Sequence, residues 1–383
     1  MGKDIWLESI NIKGFRPFRD FTAKLGPLEV IVGANGSGKT ALFEFLRFLR
    51  DGMSNEIPPE IIPGGVGRQV FHVTTGSIFS WDAEIGFASH DVESPIHYAG
   101  TLLGPLGSVQ VSSESVESVQ TRYINMDVDS GTIYETDSQY IFPRQKRNQL
   151  TLGLMNYSIG AIVGILREYI RSWSFYSGFS INNQEIRRAG LVEQEPTLRE
   201  DARNLNTVLH YLFTEHRPAF DEVQDFLRSC VPNFKSLSVK ARGGPGEIMT
   251  FWKESGIDSD LSLTDLSDGV LRLLCWGVLC VHPKPPTLIC LDEPDQGLHP
   301  RTLPILAGML QKASQRTQII VATHSSYFLT QFDLDQVAVM RKDEGGVAFI
   351  KPATSKTLTS ILSDFGSDEI EALHRSDELE RLP

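Results

Sequence analysis

The chain is poor in cysteine, short of positive charge and without a long apolar run, and each shortage removes a class of protein. Its 383 residues hold only Cys230, Cys275, Cys280 and Cys290, and no two of these form C-x-x-C. That excludes a disulfide-framed scaffold; three of the four lie in apolar runs, so buried, reduced thiols are expected. No apolar stretch approaches the roughly 18 residues that a membrane-spanning helix requires. The opening MGKDIWLESI begins at once with strand-like alternation and has no secretory h-region, so a cytoplasmic protein without membrane contact is expected. Lys and Arg number 36 against 48 acids, a net charge of −12. This balance opposes broad binding to nucleic acid, which depends on cations to neutralise phosphates. Basic residues do cluster at Arg144, Lys146 and Arg147, at Arg187 and Arg188, and at Lys240 and Arg242. Such short clusters read first as solvated faces. There is no internal repeat, no low-complexity tract and no sustained heptad pattern.

What is present begins with GANGSGKT, Gly33 to Thr40, a complete G-x-x-x-x-G-K-[ST] phosphate-binding loop. Its context fits: a β-branched run (Leu28, Val30, Ile31, Val32) leads in and a helical run (Ala41 to Arg50) leads out. The glycines let successive backbone N–H groups turn inward around an anion, and the helix N-terminus adds the positive end of its dipole. Gly33, Asn35, Gly36, Ser37, Gly38 and Ala41 would form this cradle for a nucleoside triphosphate. Lys39 would reach the β- and γ-phosphates, and the Thr40 hydroxyl would ligate Mg²⁺.

A second half-site lies in TLICLDEP, Thr287 to Pro294. Leu288 to Leu291 form an unbroken apolar run, as a strand buried on both faces should. Asp292 and Glu293 follow at its C-terminal end, where open α/β sheets bind ligands. Asp292 would hold Mg²⁺ through water, and Glu293 would polarise an attacking water. Adjacent strand side chains point to opposite sides, so the pair is expected where the strand ends and bends.

Two further segments complete the pattern: LSDGVLRLL (Leu266 to Leu274), and VATHSSYFL (Val321 to Leu329) with His324 at the end of an apolar strand. LSDGV is similar to the LSGGQ signature of ABC ATPases. Together with IWLESINIKGFRPFRDF (Ile5 to Phe21) and DEPDQGLHP (Asp292 to Pro300), the motifs resemble the SMC/RecF-like branch of that superfamily. Within it they resemble small bacterial AAA-family ATPases related to the ATPase half of overcoming-lysogenization-defect (OLD) nucleases. The resemblance covers roughly residues 4–50 and 260–330, with the middle matched loosely through Arg171 to Leu212.

The resemblance implies an α/β P-loop NTPase: an ABC-type head with a mixed sheet, an antiparallel β subdomain and a helical signature lobe. It also implies that ATP and Mg²⁺ sit between two protomers of an ATP-dependent homodimer. Lys39, Thr40, the Walker B acid Asp292, the base Glu293 and the γ-phosphate sensor His324 would come from one chain. Ser267 and Gly269 would come from the other. Ser267 is a suitable N-cap, and Gly269 permits close backbone approach. Asp268 departs from LSGGQ by placing a carboxylate near a polyanion; Arg272, four residues on, is its expected partner. A Q-loop glutamine that contacts the metal is also implied, with Gln145 and Gln149 as candidates and Gln149 preferred. Relatives commonly act with a separately encoded effector, many in phage defence. The alternative is a RecF-like DNA-binding repair or clamp-loading ATPase, which the net charge disfavours. A transporter subunit is weaker still, because Val270 stands where LSGGQ has glutamine.

Along the chain, residues 1–145 read as the first part of the nucleotide-binding lobe, with the antiparallel subdomain after a Pro- and Gly-rich stretch (57–67). Residues 146–283 read as the helical lobe and 284–383 as the returning nucleotide-binding part. A hairpin over Tyr123 to Tyr134 is expected to turn at Asp129-Ser130-Gly131. Helical spacing runs from Leu150 to Ser172, counting Ile159, Ile162 and Leu166. Helices are also expected over 204–212, over 217–230 and from Ser267. The middle is too short for SMC arms, and the stretch after His324 is too short for an OLD-type nuclease domain.

Overall fold

The computed structural model describes residues 4–62, 69–88, 94–134, 138–155, 157, 161–179, 184–241 and 246–354. It divides into two compact units, Met1–Trp173 with Asp333–Pro383, and Ser174–Phe332.

The first unit opens with the expected hairpin, β1 (Ile5–Phe15) and β2 (Phe18–Lys24), followed by β3 (Leu28–Val32) and α1 (Lys39–Gly52). All five β3 side chains are buried, as a strand covered on both faces requires. An antiparallel sheet continues through β4 (Ile78–Phe87), β5 (Ile96–Leu103), β6 (Gln110–Glu117), β7 (Arg122–Met126), β8 (Ser130–Tyr134) and β9 (Gln139–Pro143). Its order is β2-β1-β4-β5-β6-β7-β8-β9. Along β5 every second residue is buried, the period-2 signature of one core-facing side. The buried side of this sheet receives α1: Phe45 meets Phe15 edge-on at 5.1 Å, and Phe48 meets Phe79 at 5.5 Å. These rings fix the helix that carries the phosphate loop at its N-terminus. Truncating a buried phenylalanine of this kind costs about 3–5 kcal/mol.

Two expectations in this unit shift. The β7–β8 turn falls at 127–129, and Gly131 already pairs with Met126 inside the ladder. Gly131 serves close approach instead of the turn, since a Cβ there would lie 2.2 Å from the Asn125 carbonyl oxygen. The helix expected from Leu150 is described as α2 (Ala161–Arg171), whereas Leu152–Leu154 form a 3₁₀ turn. Glu114, a buried carboxylate, accepts the N–H groups of Thr151 (2.5 Å) and Leu152 (2.9 Å) at the start of that turn, and the Tyr98 hydroxyl (3.1 Å). Ile159 lies outside the described residues.

The second unit begins with β10 (Ser174–Ser177) and β11 (Gly190–Leu191), then α3 (Leu205–Glu215) and α4 (Arg217–Cys230). The strands β12 (Phe234–Ala241), β13 (Glu247–Glu254) and β14 (Leu261–Ser262) form a small antiparallel sheet with β11. Next come α5 (Asp268–Val281), β15 (Leu288–Asp292), α6 (Leu303–Ala313), β16 (Gln318–Ala322) and the short α7 (Ser326–Leu329). β10, β15 and β16 run parallel, with Cys290 opposite Phe175 and Ile320. Parallel neighbours and buried apolar runs go together here, because helices cover such sheets. α5 packs on α4 through Gly277, where an added Cβ would lie 2.9 Å from the Phe226 ring.

The chain then returns to the first unit as β17 (Val337–Asp343), parallel to β3, and β18 (Gly346–Ile350), antiparallel to β17. The fold is therefore α/β, with mixed and antiparallel pairing. None of the four cysteines forms a disulfide, and Cys275, Cys280 and Cys290 are buried. Among the described residues no helix is long and apolar enough to cross a membrane.

Candidate functional site

The phosphate loop joins the end of β3 to the start of α1. Three of its glycines adopt the left-handed or related region: Gly33 (φ 152°), Gly36 (φ 80°) and Gly38 (φ 111°). Side chains rarely take these conformations, so the motif's glycines are a backbone requirement. Gly33 is constrained twice, since a Cβ there would lie 2.2 Å from the Met340 carbonyl oxygen of β17. Gly36 has open space, with nothing within 4 Å of an added Cβ. The Lys39 side chain is buried, its ammonium donating to the carbonyls of Gly33 (2.5 Å) and Ala34 (3.2 Å). Ser37 Oγ is buried without a hydrogen-bond partner, while Asn35 and Thr40 are exposed and Ala41 is buried. An inward-turned backbone, an adjacent cation and an unpaired buried hydroxyl suit a polyphosphate.

Beside the loop lies a cleft of about 470 Å³ formed by Ala34–Ser37 and by Met340–Glu344 of β17 and the following turn. Sequence reasoning did not place β17 here. The segment carries no motif, and only the β3–β17 pairing brings it to the loop. Gln149 lies in the same unit between β9 and the 3₁₀ turn; its carbonyl accepts Arg144 Nη1 at 2.8 Å. Gln145 is exposed.

In the second unit, Asp292 ends β15 and Glu293 takes a left-handed backbone, φ 49°. Its N–H donates to the Ala322 carbonyl at 2.8 Å, so the chain bends while still tied to β16. This is the strand-end bend expected at the two consecutive acids. His324, just beyond β16, brings Nε2 to 3.8 Å from Glu293 Oε1. Sequence reasoning missed Asp295, although it is the third acid of DEPD. Burial raises its pKa, opposed by the Thr323 hydroxyl that donates to it at 2.6 Å; Glu293 raises it further and His324 lowers it. A hydrogen-bonded Asp295 ties the turn after Glu293 to the strand end before His324. Among the described residues no three His, Cys, Asp or Glu side chains converge on a ready metal site.

Ser267 caps α5, its Oγ accepting the Val270 N–H at 3.4 Å. Gly269 faces Gly297, whose carbonyl oxygen would lie 3.2 Å from an added Cβ. The expected Asp268–Arg272 pair does not form. Arg272 Nη1 instead donates to the Gln296 carbonyl at 2.6 Å, and Asp268 pairs at 2.7 Å with Arg187, a residue of the 3₁₀ turn Gln184–Arg187. The turn after Glu293 offers Arg272 a carbonyl that helix spacing cannot reveal.

The other basic clusters are also met by acids within their own unit. Arg144 lies 3.8 Å from Glu114, Arg147 2.8 Å from Asp129 and Lys240 2.6 Å from Asp260; Lys146 bonds Glu56. Arg242 lies outside the described residues.

Two family models match the sequence: "AAA domain" over residues 9–157 and "AAA domain, putative AbiEii toxin, Type IV TA system" over residues 168–330. No match was found among curated proteins. One similar solved structure is an SmcHead bound to the C-winged helix domain of ScpA, 14% identical, with a TM-score of 0.56. That similarity covers 90% of this chain and 97% of the other. Another is an Smc head domain with an extended coiled coil, bound to the C-terminal domain of ScpA derived from Pyrococcus furiosus. It is 12% identical, with a TM-score of 0.55, covering 94% of this chain and 99% of the other. At these identities the likeness speaks for the fold. The chain thus matches AAA domain models in two stretches and has an α/β fold similar to that of Smc head structures.

Proposed function

We propose that this chain hydrolyses ATP with Mg²⁺ as an ABC-type ATPase of the RecF/OLD-like kind, closing head-to-head with a second copy when ATP binds. The observation that carries the reading is the bend at Glu293, which presents an acid beside His324 directly after the Asp292 strand end. A phosphate loop alone would bind nucleotide; a base and a neighbouring imidazole at adjacent strand ends supply what water attack requires. In this scheme Lys39 neutralises the β- and γ-phosphates, and Thr40, Asp292 and Gln149 serve Mg²⁺. Glu293 activates water, His324 senses the γ-phosphate, and Ser267 with Gly269 grips the phosphate held by the partner. Mg²⁺ supplies charge neutralisation at the transferring phosphoryl group.

We further propose that ATP-driven closure controls a separately encoded effector, in a defence or toxin–antitoxin setting. Support comes from the family description that names an AbiEii toxin and a Type IV system, and from Smc heads solved with a partner protein bound. The RecF-like, DNA-binding alternative has less support, because each described basic cluster meets acids of its own fold.

The test is complementation between damaged halves. Ser267→Arg should bind nucleotide yet fail to turn it over, and Lys39→Ala should bind it so weakly that its own loop stays empty at the ATP concentration assayed. Mixed, the two should recover partial ATPase activity, because one pairing joins two intact halves. Wild-type turnover by Ser267→Arg alone would mean that the site is complete within one chain.

A further inference from the structure

We propose that Arg187 is the positioning residue of the signature helix, holding its first turn and cancelling Asp268 so that an anionic phosphate can approach Ser267. The inference rests on the shared-site reading above. A carboxylate at the first position of α5 is favourable for the helix itself, since it complements the positive end of the dipole. For a helix start that must receive a γ-phosphate, the same carboxylate is a repulsive charge. Arg187 resolves the conflict. Its Nη2 donates to Asp268 Oδ1 at 2.7 Å, and its Nη1 reaches the carbonyls of Leu263 (3.0 Å), Thr264 (3.3 Å) and Leu266 (2.8 Å).

One planar guanidinium therefore ties down the chain entering the N-cap and neutralises the residue that follows it. Lysine, a point charge without a fork, could not make both sets of contacts. The Arg187 side chain is only 18% exposed while Asp268 is 57% exposed. The cation is thus fixed by the fold, and the acid remains at the surface where a ligand would meet it. On the far side of the same turn, Arg272 secures the 296–297 turn, so Asp268 has no competing cation on its own helix.

The charges make opposite predictions for two variants, which a purely structural pair would not. In the full-length protein, the concentration giving half-maximal specific ATPase activity reports closure. Arg187→Ala should raise that concentration and Asp268→Asn should lower it, each by roughly twofold to fivefold as for one partly exposed charge. The double variant should lie between the two single variants, since it removes the charge conflict but not the lost carbonyl bonds; Arg187→Lys should fall between wild type and Arg187→Ala, and raised salt should shrink both shifts. Nucleotide binding by dilute protomers should not change in either variant. If Arg187→Ala proves too unstable to assay, Asp268→Asn decides alone: a lower concentration supports the proposal, and a higher or unchanged one overturns it. Both single variants raising the concentration would overturn it equally, by reducing the pair to a structural contact. A wild-type activity independent of protein concentration would overturn the shared-site reading as well, and is told apart because it needs no variant.

Discussion

Replacing Glu293 by glutamine isolates the chemical step from the fold. The amide has the carboxylate's shape, and the residue's N–H keeps its 2.8 Å bond to the Ala322 carbonyl. The side chain is 39% exposed and its contact with His324 is long, 3.8 Å, so little stability depends on its charge. A surface change of this type shifts stability by no more than about 0.5 kcal/mol. A positioned general base, by contrast, is worth about 10²–10⁴ in rate. At 1.36 kcal/mol per decade this is about 3–5 kcal/mol of barrier. The assay is single-turnover phosphate release at saturating ATP, paired with equilibrium nucleotide binding and sizing. Binding should be unchanged, the rate should fall by at least about a hundredfold, and ATP should trap a dimer. A rate within a fewfold of wild type would refute the base assignment. Glu293→Gly provides an internal control: a non-glycine residue at φ 49° carries strain on the order of 1 kcal/mol. This variant should be equally inactive without any fall in melting temperature.

Two further outcomes follow from buried charges. Lys39→Ala removes the cation held at the loop by Gly33 and Ala34, so ATP affinity measured by calorimetry should fall at least roughly tenfold to a hundredfold. Wild-type affinity would mean the loop has been misassigned. Glu29 on β3 is fully buried, and burial pushes its pKa from 4.5 up to about 7, against the opposing pull of Lys351 at 2.6 Å. Between those values the folded chain retains a proton that the unfolded chain has lost, so stability should decline as pH rises from about 4.5 to 7. The decline amounts to at most about 3 kcal/mol. Denaturant midpoints at pH 5 and 7.5 should show this slope in the wild type and a flatter one in Glu29→Gln; equal slopes would refute the assignment.

The sequence by itself determined those features whose physics is local. GANGSGKT is legible because positive-φ backbone needs glycine and because the strand before it and the helix after it leave their own periodicities. The helix start at Ser267 is legible because an N-cap acts within one turn. The bend at Glu293 is legible because side chains of adjacent strand residues point to opposite sides, so an acid pair marks the place where the strand ends. The α/β class follows from buried apolar runs alternating with helical ones. Only the tertiary structure decided the rest, because those contacts join residues far apart in the chain. The partner of Asp268 is Arg187, 81 positions upstream, not the helix neighbour that spacing favours. Asp295 is fixed by Thr323, and the wall beside the phosphate loop comes from Met340–Glu344 by way of the β3–β17 ladder. Glu114, 37 positions before Thr151, accepts the first amides of the 3₁₀ turn at Leu152–Leu154. Periodicity records which face a segment buries; it carries no record of which distant carbonyl or carboxylate will be waiting there.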